Sequence, residues 1–491
     1  MKVTLIFPNY LESFFIIPAS FHPPLGLAMI AAVLKVEGHD VQVIDATAER
    51  MNVHRLLKRL KKIQPDILGI TANIAFARKA FITGKWLKKH LDDIPIIYGG
   101  PWPSTEPDYI LRGDAGDYVV IGEGEITIVE LLKAIERGTD LSEVKGLAYR
   151  RDGDIIQNPP RPHIEDLDNL PMPAWELFPS PKHYFFDSKF KRFYPVMTSR
   201  GCPMGCVHCT KLVHGYKIRT KSVPRVIEEI VYLHDRFRAD NILIIDDNFN
   251  YFIDRAVKIC QEISKLDFKM GLHFSNGIRA DKLTLRLAME LKRAGAYDIA
   301  LGIESGNQEI VYKIGKNLKL DAVRRAVQIL KTVGIFTTGF IMLGLPNETL
   351  STLIDTKQFL MELNLDEAHI FKVIPFPGTR LHDIFQKKGY LLQEDLVKHV
   401  NFYISKSAPL YRMDGMPPSL IDLAYEDIYK TFYMRLRKIL AYVRHIRIRS
   451  WKWYLNFGLY VIRNVLRQGV QNTASEKGEI IRQLLAYKST E

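Results

Sequence analysis

The chain has 491 residues, 47% of them hydrophobic and 25% charged, with a formal net charge of +13 and a pI near 9.3. These are the proportions of a globular protein, and the length predicts two or three domains, each able to bury its own core. No apolar run reaches the roughly 18–20 residues that span a bilayer, and MKVTLIFPNY lacks the charged and apolar regions of a signal peptide, so a cytoplasmic protein is expected.

Residues 1–145 read as strands alternating with helices. Strands are predicted at 2–7 (KVTLIF), 40–45 (DVQVID), 66–71 (DILGIT), 95–100 (PIIYGG) and 117–125 (DYVVIGEGE), with helices at 25–37, 76–91 and from 125 to 137. Short apolar strands separated by helices imply a Rossmann-like, doubly wound parallel sheet with right-handed crossovers. Small and polar residues gather after the strands: Thr71, Ala72 and Asn73; Gly99, Gly100, Pro101 and Trp102; Gly122, Glu123, Gly124 and Glu125. Ligands of open parallel sheets bind beyond the carboxyl ends of the strands, so a large ligand is expected there. Helix-entry punctuation is the alternative reading of the same glycines.

Residues 146–190 hold a short hairpin, with turn residues Asp152 and Gly153, and then a proline-dense stretch, PRPHIEDLDNLPMPAWELFPSP, expected to be a surface linker. From 191 to 390 the alternation resumes. Strand-like runs at 195–198, 241–249, 269–276, 297–305, 335–346 and 366–376 predict an open, partial (β/α)6 barrel, with functional groups at the carboxyl ends of its strands.

The first of these strands leads into SRGCPMGCVHCTK. Cys202, Cys206 and Cys209 are three of the four cysteines in the chain, and Cys260 falls in a helical run that reads as core. Three thiolates at this spacing suit three irons of a four-iron four-sulfur cluster whose fourth iron lacks a protein ligand. A zinc site completed by His208 or His214 is the rival, whereas a disulfide framework would leave an odd thiol. On the same edge fall Asp246, Asp247, Asn248, Asn276, Arg279, Glu304, Ser305, Gly344 and Pro346. Their carboxylates and amides suit ribose hydroxyls and an amino group, and Arg279 suits a carboxylate, although each residue type also serves as a cap or turn.

Residues 391–491 read as mainly helical. No acidic residue occurs from Ile428 to Ser475, where ten Lys and Arg side chains alternate with aromatics such as Tyr433, Trp451 and Tyr460. Peripheral contact with an anionic membrane, a basic cap packed on the core, and nucleic-acid binding all fit that pattern.

CPMGCVHC resembles the CxxxCxΦC loop of radical S-adenosylmethionine enzymes, with His208 in the aromatic-type position, and DDNF, LGIESG and GFIMLGLPNET resemble that superfamily's later strand ends. PPLGLAMIAAVLKVEGHDVQVID, YGGP and VVIGEGEIT resemble the cobalamin-binding domain that precedes it in the cobalamin-dependent branch. The resemblance implies that the three cysteines hold a 4Fe-4S cluster whose open iron chelates S-adenosylmethionine, and that one electron from an external donor splits the sulfonium to a 5′-deoxyadenosyl radical. It also implies that the later strand-end residues from His208 to Pro346 hold S-adenosylmethionine and that those from Thr71 to Glu125 hold cobalamin. Two departures stand out: the DxHxxG pattern of histidine-ligated cobalamin is absent, the stretch reading EGHDVQVID, and Trp102 stands where many relatives have histidine, offering an indole to a corrin face. A carbon methyltransferase acting on an apolar or lipid-like substrate is the expected activity. An oxidative cyclase or other radical oxidoreductase is the alternative, and a zinc-stabilised nucleic-acid-binding protein the third.

Overall fold

The computed structural model describes residues 1–10, 20–91, 93–186, 190–393, 395–399 and 409–435. Its first sheet has five parallel strands, β1 Lys2–Phe7, β2 Asp40–Asp45, β3 Ile67–Thr71, β4 Ile96–Gly99 and β5 Tyr118–Val120, in the spatial order β2-β1-β3-β4-β5. That order reverses direction between β1 and β3, and such a switch point is where an open sheet leaves a crevice. Val3, Leu5, Val41 and Val43 pack with Leu27, Ala31 and Leu131 on one face, while Ile6, Ile44, Leu68 and Ile70 pack with Leu56, Leu60 and Leu87 on the other. Burial on both faces explains why β3, β4 and β5 are apolar in successive residues, whereas the edge strand β2 (DVQVID) keeps polar residues between its apolar ones. The helices are α1 Leu25–Val36, α2 Val53–Ile63, α3 Ala77–His90 and α4 Gly124–Arg137. α2 adds to the predicted helices; its apolar stripe buries Leu56 and Leu60.

The expected boundary at residue 145 is corrected. β6 Leu147–Arg151 pairs antiparallel with β5, and β7 Asp154–Gln157 pairs antiparallel with β6, so the hairpin belongs to the first sheet rather than to the linker. It covers what would be the exposed edge of β5.

The second sheet contains β8 Phe193–Val196, β9 Asn241–Ile244, β10 Gly271–Ile278, β11 Ala296–Glu304, β12 Phe336–Leu343 and β13 Glu367–Lys372, parallel and adjacent in chain order. A helix follows each strand, and no pairing joins β13 to β8 among the described residues, so the barrel is open. Leu272, Phe274, Ile299, Leu301, Ile341 and Ile370 face the helices and form the main core. The alternate residues therefore line the interior.

α1 joins the two units: Leu27 and Ala31 pack in the first core, while Leu25, Ala28 and Met29 pack with Trp175 and Tyr194 in the barrel core. Ala48, just beyond β2, packs with Tyr184, Phe193 and Leu243. Phe193 and Leu243 are interior-facing positions of β8 and β9, so the segment just beyond β2 packs on the interior face of the first two barrel strands.

The helix Pro418–Tyr433 covers the free edge of β13. The Tyr433 hydroxyl donates to the Ala368 carbonyl at 2.8 Å, Phe432 is fully buried, and Arg435 donates to the Met361 carbonyl. The beginning of the basic aromatic stretch is thus a core-packed cap, and its continuation lies outside the described residues. No described helix is long and apolar enough to cross a membrane.

Candidate functional site

The cysteine loop is fixed at both ends by backbone geometry. Gly201 has φ +93°, and a Cβ there would lie 2.2 Å from the Lys217 carbonyl oxygen, so only glycine admits this approach. The Cys202 amide donates to Gly215 O, the Val207 amide donates to Ile314 O, and Leu381 N–H donates to Val207 O. The loop is thereby held between the first strand end and the turns at 314–316 and 380–381. Cys202 is buried, Cys206 partly buried and Cys209 exposed, none of them in a disulfide. Burial pushes the Cys206 thiol up, so binding a metal there must drive off its proton. Among the described residues no three His, Cys, Asp or Glu side chains are drawn together around one ion.

Two polar atoms next to the loop are buried without a hydrogen bond, His208 Nδ1 and Asn248 Oδ1. Buried polar atoms are nearly always partnered, so these two are available beside the loop to a bound group or to water. Asn248 also sets its Nδ2 4.0 Å from Cys202 Sγ. Burial keeps His208 neutral by pushing its pKa down. Glu304, held at φ +69° by the irregularity ending β11, pairs with Lys316 at 2.6 Å, both side chains largely buried. Lys316 was not anticipated. It lies over the interior face of β11, where a Cβ on Gly302 would come 2.6 Å from its Nζ.

Several expected ligand residues are already engaged. Asp246 accepts from Thr198 N–H, Thr198 Oγ1 and Ser199 Oγ at 2.5–2.6 Å, so both carboxylate oxygens anchor the strand end that carries the loop. Asp247 accepts from Gly201 N–H and from the His214 ring; burial opposes its charge, but these donors hold its pKa below the usual range. Arg279 makes a bidentate pair with Asp281 at 2.8 and 2.9 Å rather than presenting its fork to a ligand. Asn276 donates to Ile245 O. Ser305 bonds Thr356 and the Asn307 amide, fixing a helix entrance instead of a ligand. Gly344 (φ +91°) and Leu345 direct their amides at Glu348, and Pro346 is buried beside them.

The first sheet's edge divides similarly. Thr71, Ala72 and Asn73 follow β3, with Asn73 capping the Ala75 amide. A Cβ on Gly99 would meet only Val120 at 4.0 Å, and one on Gly122 only the Leu212 carbonyl at 3.7 Å, so this ridge stays low. At Gly100 (φ +103°) a Cβ would strike Ala72 O at 2.8 Å. Gly124, by contrast, serves helix packing against Ile30 and Val120. Pro101 opens a short helix whose Trp102 is 1% exposed; its Nε1–H donates to Glu106 and its ring packs edge-on to Tyr109. The indole is core, not a platform for a corrin. His39, the histidine of EGHDVQVID, stands before the amino end of β2 beside Glu136 and the chain's amino group, on the opposite edge from the crevice.

Glu123 and Glu125 require the plainest correction. Glu123 accepts from Arg200 at 3.1 Å, Arg219 at 2.8 Å and the Ile164 amide, and Glu125 accepts from Arg200 at 2.6 Å. All four side chains are no more than 10% exposed. Burial opposes the Glu123 charge, but the two guanidinium groups hold its pKa below the usual range. Removing one partner of such a buried network typically costs about 3–5 kcal/mol. Nothing in the sequence pairs these residues, which lie 75 to 96 positions apart.

The donor sets fit the implied groups: three thiols and two orphaned polar atoms at the barrel's carboxyl edge suit an iron–sulfur cluster with S-adenosylmethionine, and the low glycine ridge at the switch-point sheet suits a flat corrinoid. Comparison with known proteins agrees. The B12 binding domain family matches residues 17–132, and the Radical SAM superfamily matches residues 196–360. An uncharacterized methyltransferase from Pyrococcus horikoshii is 31% identical over 442 residues, 90% of this chain and 94% of that protein. The anaerobic magnesium-protoporphyrin IX monomethyl ester cyclase of Rubrivivax gelatinosus is 27% identical, over 88% of this chain and 78% of its own length. The solved structure of OxsB with aqua-cobalamin and S-adenosylmethionine bound superposes with a TM-score of 0.72 at 18% identity, covering 99% of this chain and 75% of that one. The chain belongs to the cobalamin-dependent radical S-adenosylmethionine enzymes, which use a 4Fe-4S cluster, S-adenosylmethionine and cobalamin.

Proposed function

We propose that the protein is a carbon methyltransferase in which Cys202, Cys206 and Cys209 hold the cluster, His208, Asn248 and Glu304 border S-adenosylmethionine, and the ridge from Thr71 through Gly99 and Gly100 to Gly122 borders the corrin. The observation that carries this reading is the tie between the two halves: Arg200, two residues before Cys202, is bonded to Glu123 and Glu125 in the turn that ends the first sheet. When bound, the cluster with S-adenosylmethionine supplies a hydrogen-abstracting radical, and the corrinoid supplies a methyl group. The chain's own residues seat these groups, exclude water and keep the His208 ring neutral. The small-molecule substrate and the external electron donor complete the reaction.

An apolar substrate suits the interior wall. Phe340 and Phe371 lie edge to face at 6.2 Å, and Phe371 is 47% exposed there. A lipid-like substrate reached from a membrane surface is the finer proposal, supported by the basic aromatic sequence beyond Arg435. Anaerobic incubation with methyl-labelled S-adenosylmethionine and candidate lipids tests the activity: label on the corrinoid and then on product supports it. Deoxyadenosine without methyl transfer supports the second reading, an oxidative cyclase, which the likeness to the Rubrivivax enzyme favours. Binding of anionic vesicles by the full chain but not by a chain ending at Arg435, which keeps the helix Pro418–Tyr433 whole, supports the membrane contact, and equal binding refutes it.

A further inference from the structure

Ser199–Arg200 and Arg219–Thr220 form a two-residue antiparallel ladder that closes the base of the cysteine loop, with Arg200 opposite Arg219. Two guanidinium groups side by side and nearly buried repel each other unless anions separate them. The anions come from the other domain: Glu123 lies between both arginines, and Glu125 holds the second arm of Arg200. Arg219 also donates to Ile164 O at 2.6 Å and to His214 O at 2.9 Å, tying in the linker and the far side of the loop. The same Gly122–Glu125 turn ends β5 at the low ridge and meets the loop at Leu212. One turn therefore touches both cofactor sites, and Arg200 is two residues from Cys202.

We infer that Arg200, Arg219, Glu123 and Glu125 are positioning residues that set the distance and orientation between the cluster and the corrinoid, and through it the division of S-adenosylmethionine between methylating the corrinoid and yielding deoxyadenosine. This inference rests on the two-cofactor reading given above. Arginine suits the role because its planar fork fixes direction as well as charge, which lysine does not. A misplacement of about 1 Å between reacting groups can cost roughly 10²-fold in rate.

The direct test is dipolar electron paramagnetic resonance between cob(II)alamin and the reduced cluster in the reconstituted full-length protein, with Glu125→Gln, Glu125→Asp and Arg200→Lys compared with the parent. Glu125→Gln should displace and broaden the distance distribution while iron and corrinoid contents stay at parent levels. The ratio of S-adenosylhomocysteine to deoxyadenosine should then change about tenfold. Glu125→Asp, which keeps the charge, should fall between parent and Gln variant in both measurements. A parental distance and ratio in Glu125→Gln overturn the proposal, as does a proportional fall in both products. If the Gln variant loses its cofactors, Glu125→Asp and Arg200→Lys decide: unchanged distances in both refute the role. A parent protein that takes up no corrinoid overturns the cofactor assignment itself, whereas an unaltered distance overturns only this inference.

Discussion

Glu348 offers the sharpest stability test. Its side chain is 3% exposed; one oxygen accepts from the Gly344 and Leu345 amides at 2.6 and 2.9 Å, and Oε1 has no hydrogen bond. Burial raises its pKa from 4.5 to about 7, against the pull of the two amides. Each tenfold change in proton affinity is about 1.4 kcal/mol, so the displacement amounts to roughly 3 kcal/mol. Because the folded-state pKa is raised, the native protein binds this proton more tightly than the unfolded chain. The stabilisation is therefore complete below pH 4.5 and is lost as the pH rises through 7. Over that window Glu348 contributes a fall of about 1.4 kcal/mol per pH unit. Glu348→Gln is a neutral isostere that keeps the acceptor for both amides. It should match the parent near pH 4 and exceed it by up to about 3 kcal/mol at pH 8, read as the difference in unfolding midpoint between the two apo proteins across pH. Subtracting the two profiles removes other titrating groups, such as Asp45, whose pKa burial raises to about 6. Parallel profiles would show that Glu348 is charged in the native protein and refute the reasoning.

Replacing Cys202, Cys206 or Cys209 with alanine should abolish cluster iron, sulfide and the cluster's share of the visible absorbance while leaving corrinoid uptake and its own absorbance intact; Cys260→Ala should cost only stability, about 1–3 kcal/mol for a small buried side chain. Gly201→Ala, which places a Cβ 2.2 Å from Lys217 O at φ +93°, should lower iron content severalfold even though every ligand remains; full iron loading would contradict the loop geometry. Trp102→Ala should destabilise by about 3–5 kcal/mol, whereas Trp102→Phe should keep the parental corrinoid stoichiometry, because the ring lies in the core. Tyr184→Phe removes the donor to buried Asp45 at 2.9 Å and should cost about 1–3 kcal/mol in thermal unfolding at neutral pH.

Much of the fold was legible because period and length carry it. Apolar runs of roughly four to twelve residues, set between helical stretches and flanked by Gly, Pro and Asn, suit buried parallel strands, and eleven such runs overlap the observed ones. α2 was legible as well, since Val53, Leu56, Leu57, Leu60 and Ile63 recur at helical spacing, although it is absent from the predicted elements. The hairpin at 147–157 was seen but assigned to the linker, since which edge a hairpin covers is decided by pairing, not by its own residues.

The sequence by itself determined the number and spacing of the thiols and the strand-and-helix order around them: these are local, and thiol number and backbone freedom do not depend on distant partners. Only the tertiary structure decided which charged groups remain for a ligand. Asp246, Glu123 and Glu125 look like ligand residues in the chain, yet each is satisfied by a partner brought near by folding, whereas Arg279 is paired with Asp281 only two positions on. A buried charge must be neutralised by something, and whether that partner is cofactor or protein depends on contacts across as many as 96 residues, which no local pattern encodes.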